Sequence, residues 1–245
     1  MIAKNRGVLL PAALVLAACS QPRPSPSPSP GALPGAASAK PATPEPSSAG
    51  AAASPASDDR PAVVFLGTSL TAGFGLDVDE AYPALIQKKI DAEGLRYRVV
   101  NAGVSGESSA GALRRLDWIL REKVAVLVVE TGANDGLRGQ DPDATRANIQ
   151  AIVDRARRQD LAPKLVLVGM EALPNYGAEY GRRFRVIFPD LARKNGAVLV
   201  PFLLEGVAGV RSLNQADGVH PTAAGQAAVA DTVWKTLRPV LADGG

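Results

Sequence analysis

The chain has 245 residues, 46% of them hydrophobic and 21% charged, with 27 Lys and Arg against 24 Asp and Glu for a formal net charge of +3. One histidine and one cysteine exclude an intrachain disulfide and a thiolate zinc site. From residue 61 onward the count is 22 basic to 21 acidic, a net of +1, which excludes the basic footprint of a nucleic-acid binder.

The N-terminus carries Lys4 and Arg6, then the apolar run Val8 to Ala18, then small residues. That order is an export signal, and the run is too short to span a bilayer as a helix. Leu16, Ala17, Ala18 and Cys19 resemble the lipobox of bacterial lipoproteins, which implies a signal peptide over 1–18 and lipidation of Cys19. Ser20 stands where the sorting rule of those lipoproteins has aspartate for inner-membrane retention, so the resemblance implies the outer membrane, facing the periplasm or the cell surface. From 19 to 60 the chain is Pro, Ser, Ala and Gly, too poor in apolar residues to recover its ordering entropy, and reads as a tether. Residues 61–245 are the size of one domain.

Within that domain, Val-rich runs at 62–67, 97–103, 124–132, 164–170 and 197–202 lack polar alternation, as strands buried on both faces do. Helical spacing fills 81–92, 109–121, 144–158 and 222–237. The alternation predicts an α/β fold of three layers, with a parallel sheet of about five strands between helices. Trp118 and Trp234 fall at helical spacing and read as core residues, and "RRFR" at 182–185 reads as a solvated helix face.

In such sheets ligands bind beyond the carboxyl ends of the strands. Ser69 follows the first run, "NAGVSGES" closes the second, "TGAND" the third and "DGVHP" the fifth, so all four polar groups fall on one edge. A serine hydroxyl needs a base, and His220 is the sole imidazole. Asp217, three residues earlier, is close enough in the chain to orient it. Asp135 and Glu107 adjoin these blocks without an evident role.

Together the blocks resemble those of the SGNH (GDSL-type) hydrolases. "GANDGLRG" and "LPNYG" look like the thioesterase I, lysophospholipase and arylesterase subgroup. The resemblance implies a flavodoxin-like SGNH fold and a serine esterase acting on acyl or aryl esters, thioesters or lysophospholipid-like substrates, without metal or cofactor. Catalysis would rest on Ser69, His220 and Asp217. The oxyanion hole would come from Ser69, Gly103 and Asn134, and Leu173, Pro174, Asn175 and Tyr176 would line the acyl pocket. Thr68 stands where the family block usually has aspartate, which removes a charge beside the nucleophile. Carbohydrate O-deacetylation and a non-catalytic tethered binding module are the alternatives.

Overall fold

The computed structural model describes residues 58–243. The expected signal segment, Cys19 and the tether as far as residue 57 lie outside the described residues. Strands β1 (Ala62–Gly67), β2 (Arg98–Gly103), β3 (Val124–Val129), β4 (Lys164–Val168) and β5 (Val198–Val200) pair in parallel in the order β2-β1-β3-β4-β5. The fold is therefore α/β with five parallel strands, in the flavodoxin-like order. Every residue of β1 is buried, as expected of a Val-rich strand with neighbours on both sides.

The helices are α1 (Ser69–Ala72), α2 (Tyr82–Ala92), α3 (Ser109–Ile119), α4 (Ala133–Leu137), α5 (Pro142–Arg157), α6 (Gly177–Arg185), α7 (Ile187–Asn195) and α8 (Ala223–Ala242). Helix α2 packs with α8, and α3, α5 and α7 pack in series. Phe65, Ile86, Leu116, Leu127, Ile149 and Phe188 are among the large side chains at the centre of the core.

Four sequence-derived helices match α2, α3, α5 and α8 closely. Helix α8 runs on past Leu237 through Pro239. Its last carbonyls are satisfied from outside the helix, Val240 by Lys164 Nζ at 2.9 Å and Leu241 by the Tyr97 hydroxyl at 3.3 Å. Trp118 departs from expectation: it is 68% exposed near the end of α3, while Leu116 and Ile119 take the buried positions. Helical spacing set its face only approximately, and one position of rotation is enough to move a side chain from core to solvent. Trp234 is half-buried against the core.

The order reverses at β1, whose neighbours are β2 and β3. Segments leaving the carboxyl ends of these three strands therefore border a shared cleft.

Candidate active site

Gly67 ends β1, and Thr68 caps α1 by accepting from Leu70 N–H at 3.4 Å. Ser69 is the first helical residue, so its N–H has no intrahelical acceptor. Gly73 then takes a left-handed conformation, φ 73°, and ends the helix after one turn. A strand, a sharp exit and a one-turn helix thus display a serine at the sheet edge.

His220 reaches the same place from the loop before α8. Its Nε2 lies 2.9 Å from Ser69 Oγ, and its Nδ1 lies 2.7 Å from Asp217 Oδ2. Asp217 Oδ1 also accepts from the N–H groups of Val219, at 2.9 Å, and His220, at 3.0 Å. These bonds, the one to the imidazole foremost, hold the Asp217 carboxyl down at about 2. Gly218, at φ 71°, supplies the left-handed step that lets the carboxylate fold back on the histidine.

Asn134, at the start of α4, donates through Nδ2 to Glu107 O at 3.0 Å, which leaves a second amide hydrogen unused by that bond. Ser69, Asn134, His220, Ser105 and Gly106 line one cavity of about 180 Å³. Gly103 is absent from that lining. Its N–H donates to Asn101 Oδ1 at 3.0 Å, and its α-carbon faces the backbone of α1, where an added Cβ would come within 2.3 Å of Ala72 N. The expectation that Gly103 supplies an oxyanion donor is therefore corrected. Gly106, three residues on at φ 77°, occupies the cleft position, and among the described residues no protein acceptor takes its N–H. Both glycines were visible in "NAGVSGES"; only the path of the loop separates the one at the strand end from the one at the cavity.

A second cavity of about 410 Å³ adjoins the first, sharing Leu70, Ala133, Leu137 and Val219, and is otherwise lined mainly by apolar groups such as Met170, Phe202 and Leu204. Leu173 and Pro174 line it. Asn175 and Tyr176 do not: the Tyr176 hydroxyl donates to Leu137 O at 3.2 Å and its ring covers Gly139. Glu171, at the rim, pairs with Arg185 at 3.0 Å.

The two acidic residues that sequence left without a role both brace the site. Glu107 grips Arg115 with both oxygens, and Arg115 Nη2 donates to Ala102 O at 2.7 Å and Gly67 O at 3.3 Å, tying the ends of β1 and β2 to the loop that carries Gly106. Asp135 is buried and accepts from Ser109 N–H at 2.8 Å and Ser109 Oγ–H at 2.5 Å, joining α4 to the start of α3.

Glu130 was missed altogether. It follows β3, is fully buried, and accepts from Thr68 N–H at 2.8 Å and from the hydroxyls of Thr68 and Thr71. Burial pushes its carboxyl up to about 7 against the pull of those bonds. The signal was a lone acid inside the apolar run "VAVLVVETG", which reads as a strand.

Residues 65–228 match the GDSL-like Lipase/Acylhydrolase family. Esterase TesA of Pseudomonas aeruginosa is 43% identical over 180 residues, covering 73% of this chain and 89% of that protein. Thioesterase 1/protease 1/lysophospholipase L1 of Escherichia coli strain K12 is 34% identical, covering 73% of this chain and 84% of its own length. Among solved structures, the crystal structure of TesA superposes with a TM-score of 0.69 at 42% identity over 73% of this chain and 98% of that one. The psychrotrophic esterase EstA from Pseudoalteromonas gives a TM-score of 0.70 at 33% identity, over 74% of this chain and 98% of that one. The chain belongs to the GDSL-like lipase/acylhydrolase family and is an ester-hydrolysing enzyme.

Proposed function

We propose that the chain hydrolyses acyl and aryl esters, and thioesters of similar shape, through an acyl-enzyme on Ser69. The observation that carries this reading is the chain of contacts from Ser69 Oγ to His220 Nε2, 2.9 Å, and from His220 Nδ1 to Asp217 Oδ2, 2.7 Å. Asp217 holds the ring as the Nδ1–H tautomer, which leaves Nε2 to accept the serine proton. Ser69 Oγ then bonds to the acyl carbon while that proton moves to Nε2. The tetrahedral intermediate carries its charge on the former carbonyl oxygen, among the N–H groups of Ser69 and Gly106 and the Asn134 amide.

Collapse breaks the bond to the leaving alcohol or thiol, which takes the proton from His220. Water, deprotonated by the same nitrogen, attacks the acyl-serine, and the acid departs with Ser69 and His220 restored. Acyl chains would enter the 410 Å³ apolar cavity, whose lining suits methylenes better than sugar hydroxyls and so weighs against glycan deacetylation.

The test is a panel of p-nitrophenyl esters of rising chain length, run beside acetylated glycans, with fluorophosphonate labelling of the wild type and of Ser69→Ala. EstA's inhibition by monoethylphosphonate recommends that class of probe. Turnover of the alkyl esters, with labelling that vanishes in Ser69→Ala at an unchanged melting temperature, is expected. Turnover on the glycans alone would defeat the acyl-ester reading, and near-normal activity in Ser69→Ala would defeat the choice of nucleophile.

The lipobox-like segment supports an anchored enzyme, lipidated at Cys19 and held at a membrane, with small-molecule or lipid esters as substrates. Cys19→Ala is expected to shift the protein from the membrane fraction to the soluble one.

A further inference from the structure

Among the described residues, Glu130 is the one fully buried carboxylate beside the nucleophile that the acyl-transfer scheme leaves idle. Among the described residues no Lys, Arg or His lies within ion-pair distance of it, so its charge is balanced by hydrogen bonds alone. All three donors come from the turn that carries Ser69. Thr68 gives its main-chain N–H at 2.8 Å and its hydroxyl at 3.0 Å, and Thr71 gives its hydroxyl at 2.8 Å. The Tyr82 hydroxyl, 2.7 Å from Thr71 Oγ1, completes the chain. Gly67 makes the approach possible, because a Cβ there would fall 2.0 Å from Thr71 Oγ1 and 2.8 Å from Glu130 Oε2.

We infer that Glu130 is the positioning residue of the nucleophile, fixing the orientation of Ser69 by gripping both ends of the one-turn helix that displays it. The inference rests on Ser69 being the nucleophile. A carboxylate accepts all three donors at once. A carboxylic acid must itself donate one hydrogen, so one hydroxyl has to turn away and the grip weakens.

The surroundings offer no other group to do this work. Tyr82 of α2 is a hydroxyl held neutral by burial, Gln226 of α8 contacts Leu70 O and Tyr82 N–H, and Asn101 of β2 contacts Thr71 O. Arg115 of α3 reaches Gly67 O but is committed to Glu107. Thr68 also explains itself. An aspartate at that position would set a second carboxylate against Glu130 at hydrogen-bond distance, and the two would share a proton; threonine leaves Glu130 to ionise alone.

The experiment combines Glu130→Gln, Thr68→Val, Thr68→Ser and Thr68→Asp with steady-state kinetics across pH 5–9 and a measured rate of fluorophosphonate labelling. Glu130→Gln is expected to lower kcat about tenfold with KM within about twofold, since a displaced nucleophile slows acylation without altering the acyl cavity. Labelling should slow in proportion. Thr68→Val should lose a similar factor and Thr68→Ser recover most of it. The wild-type kcat should fall on the acid side of neutrality by a component that Glu130→Gln lacks and that Thr68→Asp splits into two steps. A folded Glu130→Gln enzyme with wild-type kcat, labelling rate and pH profile would overturn the inference. A wild type that turns over esters without labelling at Ser69 would overturn the nucleophile assignment instead.

Discussion

The ring of Phe74 lies over the imidazole of His220, with centroids 4.6 Å apart and planes at 39°. Phe74 is half exposed and lines the Ser69 cavity but not the larger apolar pocket. Its main-chain oxygen is held by Gln215 Nε2 at 2.7 Å, which ties the two loops together. An aromatic face in that position limits the swing of the His220 ring and, in the proposed mechanism, would favour its imidazolium.

Phe74→Ala is therefore expected to lower kcat/KM by roughly threefold to tenfold, the range of an aromatic or cation–π contact of about 0.5–1.5 kcal/mol. The loss should be larger for p-nitrophenyl than for ethyl esters of the same acid. Equal losses on the two leaving groups would assign Phe74 to holding His220 alone.

Asn134→Ala should lower kcat by about 10²–10³-fold, the cost of one oxyanion donor. KM should change little. Because Asn134 Nδ2 also holds Glu107 O, a small drop in melting temperature is expected alongside. Asn134→Asp, isosteric but bearing a charge next to the developing oxyanion, should be as inactive.

Gly103→Ala tests the correction at the end of β2. The added Cβ would meet the backbone of α1, 2.3 Å from Ala72 N and 2.8 Å from its Cα, with no flexible side chain to give way. The variant should be destabilised by about 1–3 kcal/mol, as for overpacking of a core, and should lose activity through displacement of Ser69. Gly106→Ala would meet only the Arg138 guanidinium, at an ordinary contact of 3.8 Å, and has the φ of 77° against it. It should melt closer to wild type yet lose kcat, a contrast readable from thermal unfolding and ester turnover together.

Glu130 gives stability a pH dependence of defined sign. Its carboxyl is raised by burial from 4.5 to about 7, so the protonated form is the one that folding favours. The contribution is complete below pH 4.5 and is lost as pH rises through about 7. The difference amounts to roughly 3 kcal/mol. Asp217, held down at about 2, works in the opposite direction but only in strongly acid solution. Denaturant unfolding should show wild type losing stability between about pH 4.5 and 7 and levelling above, while Glu130→Gln shows a flatter curve and is the more stable of the two at pH 8.

Strand positions were legible because buried parallel strands leave continuous Val-rich runs, and the Ser69, Asn134, Asp217 and His220 blocks were legible because the sheet forces functional groups to its carboxyl edge. The glycine of the cleft was misplaced because two glycines three residues apart differ only in the path of a loop, which depends on Arg115 and Glu107. Glu130 went unread for a related reason. An acid at the end of an apolar run looks like the start of a surface loop, and its burial is decided by Thr68 and Thr71, some sixty residues away in the chain. Trp118 shows the converse, an aromatic read inward from spacing alone and turned outward by the phase of α3.

The serine and the histidine are rooted very differently. Ser69 extends directly from β1, which is hydrogen-bonded to a neighbour along each side, whereas His220 rides a loop outside the sheet, held by the Asn214–Pro221 bridge, by Gln215 N–H donating to His220 O at 2.7 Å and by Gln215 Nε2 donating to Phe74 O at 2.7 Å. Fluctuations that open this loop need not disturb the sheet, and amide exchange in native conditions should be fast at Val219 and slow through Val63 to Leu66. Warming would then cost activity by displacing His220 while Ser69 still stands in place, and cooling would restore it without any refolding.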